Sequence, residues 1–167
     1  MSKQDGSAPA LWAFAEGQHH ELIRGINQIH DVGCEFGHRP TPELAVEILA
    51  VLDWLRGVLE PHMAWEETSL YPEIDRRAGS PWATCAPRLE HHRLRELAAR
   101  LRADRTLLAG GSQRDRHCAA LSDLFGLEAL LRAHIEVEEG SLFPVLIDGR
   151  WPEAIDDGPR RVEAGAR

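Results

Sequence analysis

Residues 62–72 read HMAWEETSLYP and residues 134–144 read HIEVEEGSLFP, one pattern written twice, 134 − 62 = 72 positions apart. A shorter echo joins HELIR at 20–24 to HHRLR at 91–95, 91 − 20 = 71 positions apart. A chain that repeats itself in this way is expected to fold as two similar halves. The periodicity says what each half contains. Four segments place apolar residues at helical spacing, from about Leu11 to Cys34, Thr41 to Ser69, Pro87 to Leu108 and Gln113 to Glu139. Gly37-His38-Arg39-Pro40, Leu70-Tyr71-Pro72 and Gly110-Gly111 separate them, and Gly140 and Pro144 follow the last. No stretch alternates as a strand does.

The expected fold is therefore all-α, an antiparallel up-down four-helix bundle built from two αα-hairpin repeats. The bundle should occupy residues 11–147, with a flexible N-terminus at 1–10 and a mobile tail at 148–167. Pro61, inside the second segment, predicts a kink near Gly57.

A net charge of −8 argues against nucleic acid or an anionic membrane as partner, since both attract basic surfaces. No apolar run reaches the roughly 20 residues a membrane span needs. Cys34, Cys85 and Cys118 are odd in number and far apart, which reads as free thiols in a reducing cytoplasm.

The chemistry sits where the repeat meets the core stripe. Positions i and i+4 of a helix share a face, so His62 with Glu66 and His134 with Glu138 continue the apolar stripes of their helices. On the second helix that stripe is Leu44, Ile48, Val51, Leu55 and Leu59; on the fourth it is Leu124, Leu127, Leu130 and Leu131. Glu67 and Glu139, one residue on, should face outward. His20, followed by Ile23 and Ile26, and His91, followed by Leu94, Leu97 and Leu101, supply one inward histidine from each remaining helix. Matching the two echoes sets His20 over His91 and His19 over Glu90, which selects His20. His19, near the middle of the apolar arc, stands as the alternative ligand or outer partner. His30 also falls on the inward stripe and is expected to be a hydrogen-bonded core residue, and His92 should point outward.

The expected metal ligands are thus His20, His62, Glu66, His91, His134 and Glu138. Buried carboxylates without partners are costly, and cations that also accept neutral imidazole remove that cost. So many donors exceed one tetrahedral zinc and suit two ions with bridging glutamates and an oxo or hydroxo bridge. Mixed nitrogen and oxygen donors favour iron, with manganese or zinc behind it.

These residues carry a resemblance. His20, His62…Glu66 with Leu70-Tyr71-Pro72, Glu90-His91, and His134…Glu138 with Leu142-Phe143-Pro144 make the chain similar to hemerythrin-like domains of the HHE cation-binding type. The resemblance implies a non-haem di-iron site in a four-helix bundle. In the oxygen-carrying members the third helix supplies two histidines one turn apart, and here that second position is Arg95. Their fourth-helix carboxylate comes five residues after its histidine, which here is Glu139. These departures set the chain with the bacterial and regulatory branch. The expected function is binding or sensing of O2, NO, or iron and redox state. The alternative is a di-iron enzyme acting on peroxide or ferrous iron. The corresponding partners are a small diatomic ligand or peroxide.

Overall fold

The computed structural model describes residues 7–35, 41–108, 114–149 and 151. The breaks at 36–40 and 109–113, the first six residues and the tail from 152 lie outside the described residues. The regular structure is entirely helical and forms a bundle of four long helices: α1 (Ala8–Glu35), α2 (residues 41–78), α3 (Cys85–Leu108) and α4 (residues 114–148). None among the described residues is long and apolar enough to cross a membrane.

Two helices run past the points where proline was expected to stop them, and the point near Gly57 where Pro61 was expected to kink α2 falls on a π turn. Helix α2 contains π-helical turns at Leu55–Leu59 and Glu66–Leu70, and α4 contains one at Glu138–Leu142. Each is followed, two residues on, by Pro61, Pro72 or Pro144. Within an α-helix a proline ring collides with the carbonyl four residues back and leaves it without a donor. Those carbonyls belong to Gly57, Thr68 and Gly140, at the centre of the three π turns. Widening the turn there moves the carbonyl away from the ring, so the helix continues. The helices finally end at Gly79 and Gly149, both at φ 66°, a left-handed conformation that glycine adopts without steric cost.

Two apolar clusters fill the interior. The larger contains Leu22, Ile26 and Ile29 of α1, Leu44 through Met63 of α2, Leu94 and Leu101 of α3, and Leu124 through Ile135 of α4. The smaller packs Ala8, Leu11 and Ala15 against Leu70, Tyr71, Ile74, Leu142, Phe143 and Leu146. Along every helix that contributes to both, a short polar stretch separates them: His19 on α1, Glu66 on α2, Glu138 on α4. One layer of histidine and glutamate is thus closed off by apolar side chains on both sides.

Candidate metal centre

His62, Glu66, His91, His134 and Glu138 meet in this layer, each at most 2 % exposed. His20 does not join them. It is exposed, and its Nδ1 donates to the backbone carbonyl of Glu16 at 2.9 Å. The inward residue is His19, 1 % exposed, with Nε2 3.2 Å from Glu138 and 3.7 Å from Glu66. The reason lies in α1, whose buried stripe is Leu11, Ala15, Leu22, Ile26 and Ile29; Ile23, which had pointed to His20, is exposed. His19 falls between Ala15 and Leu22 on that stripe. His30 is another correction: it is exposed, and its Nδ1 donates to Glu128 at 2.9 Å instead of entering the core.

The donor atoms form two groups, each with all its atoms within 4.8 Å of one another: His19, His62, Glu66 and Glu138 in one, Glu66, His91 and His134 in the other. Glu66 belongs to both. Its Oε1 lies 2.8 Å from His62 Nε2 and its Oε2 3.1 Å from His91 Nε2. The Nε2 atoms of His91 and His134 stand 3.2 Å apart.

Every one of these imidazoles is held from behind through Nδ1. His19 donates to Glu139 at 3.0 Å, His62 to Gln18 at 2.7 Å, His91 to Glu67 at 2.9 Å and His134 to Glu90 at 2.9 Å. A carboxylate or amide oxygen can only accept, so Nδ1 carries a proton, and a ring that loses its second proton presents an inward Nε2 lone pair. Glu67 and Glu139 do lie toward the outside, yet their carboxylates turn back to serve as these acceptors. A single offset relates the arrangement: 91 − 19, 134 − 62, 138 − 66, 139 − 67 and 90 − 18 all equal 72. Extending the 72-residue offset of the longer repeat to α1 pairs His19 with His91; the 71-residue echo misplaced the match by one.

The electrostatics of the layer follow from burial opposed by close opposite charges. Burial works against the charged form of His19, but the close carboxylates of Glu138 and Glu66 outweigh it and raise the group to about 10. His134 is likewise raised to about 10, against burial, by Glu66 and Glu90. Burial would push the Glu66 carboxyl up, and the surrounding histidines hold it well below the usual range. Tyr71, fully buried, donates its hydroxyl to Glu138 Oε1 at 2.6 Å. Burial and the negative charge of Glu138 and Glu66 drive its phenol far above the ordinary value, so it remains a donor.

Does a cation fit? His19 Nε2, His62 Nε2, both oxygens of Glu66 and Glu138 Oε2 are buried without a hydrogen-bond partner among the described residues. They approach one another closely but are misaligned for hydrogen bonds, an arrangement that is costly when nothing else binds them. Inward lone pairs and carboxylate oxygens, with outer partners fixing each ring, are the donor set a first-row transition ion requires.

Searches of curated proteins and of solved structures returned no match. The family model for the hemerythrin HHE cation binding domain matches residues 11–146, which takes in all four helices and every residue of the layer. The chain belongs to the hemerythrin HHE cation-binding domain family.

Proposed function

We propose that the chain holds two iron ions, one at His19 and His62 and the other at His91 and His134, with Glu66 and Glu138 lying between them. The bundle would be an antiparallel up-down arrangement of two αα-hairpin repeats, as the 72-residue spacing of the donors suggests. The observation that carries this reading is the set of buried, inward, unpartnered atoms on His19, His62, Glu66 and Glu138. Iron bound there supplies one-electron redox chemistry toward a small ligand such as O2, NO or peroxide. The protein's own part is separate. The four Nδ1 acceptors orient the imidazoles, the two apolar clusters exclude bulk water, and Tyr71 holds a proton at its hydroxyl beside Glu138.

Binding or sensing of a diatomic ligand, or of iron and redox state, is the favoured role. A peroxide-directed or ferroxidase-like activity is the second reading, favoured by the Tyr71 hydroxyl, a buried proton donor beside Glu138. Exposed free thiols at Cys34, Cys85 and Cys118 are consistent with a reducing cytoplasm. The test is metal content with the ultraviolet-visible spectrum of aerobically purified protein. Two irons per chain, lost in His62→Ala and Glu138→Ala, are expected. A folded, colourless chain that refuses iron would overturn the reading. Peroxide and NO added to the loaded protein then separate turnover from binding.

A further inference from the structure

The 72-residue pairing that relates the ligands changes chemistry at the aromatic position beside them: Tyr71 pairs with Phe143, 143 − 71 = 72. The two rings do the same packing job. Tyr71 stacks on His91 with centroids 5.4 Å apart, and Phe143 stacks on His19 at 5.5 Å. Only Tyr71 carries a hydroxyl. It donates to Oε1 of Glu138 and also lies 3.0 Å from His91 Nε2. Glu66, the counterpart of Glu138, meets no such donor, and both of its oxygens remain free to face the histidines. Glu138 is left with Oε2 alone, 3.2 Å from His19 Nε2 and 3.6 Å from His134 Nε2. The donor grouping reflects this, with two carboxylates joining His19 and His62 but only Glu66 joining His91 and His134.

We propose that Tyr71 makes the two metal positions unequal. By engaging one oxygen of Glu138 it assigns that carboxylate to the His19–His62 position and leaves the His91–His134 position short of a donor. The second position then holds its ion more weakly and is the one that exchanges. The inference rests on the two-ion reading above.

Outer partners pull in both directions. Arg95 lies 2.9 Å from the Glu67 carboxylate and draws charge away from the partner of His91, which weakens the same position. Glu90 behind His134, where His62 has the neutral Gln18, strengthens it. Changes to such partners shift affinity by roughly 10–100-fold. Changes in the count of charged donors shift affinity over several orders of magnitude in oxygen-ligand sites, so the missing carboxylate decides the order.

The experiment is an anaerobic titration of the metal-free full chain with cobalt(II), followed by its visible absorption and by equilibrium dialysis. Two binding steps separated by about tenfold or more are expected. Tyr71→Phe frees Glu138 Oε1 and should raise the weaker step by about tenfold, drawing the two together. Phe143→Tyr places the matching hydroxyl beside His19 and Glu66 and should lower the tighter step instead. A role for Tyr71 as mere packing would leave the steps unmoved or weaken both, and so could not produce the rise. Equal steps in the unaltered protein, or a fall of the weaker step in Tyr71→Phe, overturn the inequivalence while leaving the two-ion reading intact. Should Tyr71→Phe fail to fold, an unchanged tighter step in Phe143→Tyr overturns it. Failure to bind any cobalt overturns the two-ion reading itself, and this inference with it.

Discussion

Glu139 is half exposed, yet its carboxylate accepts a hydrogen bond at 3.0 Å from Nδ1 of His19, whose ring is 1 % exposed. The contact reaches from solvent to the centre of the polar layer in one step. Removing the acceptor leaves the imidazole free to rotate and makes it a poorer donor. Glu139→Ala should therefore lower metal affinity by roughly 10–100-fold, and because it orphans a buried donor it should also lower the melting temperature of the metal-free chain. Competition with a chelator of known affinity measures the first, and calorimetry the second. An affinity equal to that of the unaltered protein would show that the contact does not govern the ligand.

The exchange of His20 for His19 gives the simplest test of the site. His19→Ala should lose at least one metal ion per chain, whereas His20→Ala should retain the full content, because His20 only caps a carbonyl on the outside of α1. Elemental analysis of the two purified variants decides it. Metal loss in His20→Ala with retention in His19→Ala would restore the original assignment.

Metal loading should release protons. In the metal-free chain His19 and His134 both stand raised to about 10, so at neutral pH each carries a proton that a bound cation must displace. Two protons per chain are expected from these groups on loading at pH 7.5, read with an indicator dye in weak buffer. The same shifts bear on stability. A histidine whose folded value is raised contributes stability in full below its ordinary value of about 6.5, and that contribution is lost as pH rises through about 10. The metal-free protein should thus melt at progressively lower temperature from pH 7 to pH 10. A flat melting temperature across that range would show that the histidines are already neutral.

Gly25 lies against the indole of Trp54, and a Cβ built on Gly25 would overlap the ring. Gly25→Ala should destabilise the fold by about 1–3 kcal/mol through overpacking between α1 and α2, despite the better helix propensity of alanine. Denaturant unfolding measures this, and Trp54→Leu in the same background should recover part of the loss.

Much of this arrangement was legible from spacing. His62, Glu66, His134 and Glu138 are marked by a motif that occurs twice, and the apolar stripe at Leu44, Ile48, Val51, Leu55 and Leu59 is buried along its length. His19 was placed second to His20 because adjacent histidines lie only about 100° apart on a helix, and the stripe was drawn through Ile23. One signal could have corrected it: the 72-residue offset, applied to α1, pairs His19 with His91 and Gln18 with Glu90. The role of Glu67 and Glu139 was harder to see. Their backbone positions do face outward, and only a flexible side chain turning back brings the carboxylate to the ring. The π turns before Pro72 and Pro144 were read as helix ends, since proline after a leucine and an aromatic residue is normally a stop, and the one before Pro61 was read as a kink.

Those π turns settle how the two ends of α2 and α4 relate. Buried residues there follow at steps of four: His62, Glu66, Leu70, Ile74 on one helix, His134, Glu138, Leu142, Leu146 on the other. In an ordinary α-helix each step of four over-rotates by about 40°, and the row would spiral out of the interior within a few turns. The wide turn absorbs the excess at the ligand layer itself. The histidine–glutamate layer and the phase correction are therefore one and the same stretch of chain. An ordinary α-helix through Glu66–Leu70 with every residue retained would turn the far end, Tyr71 included, away from the interior.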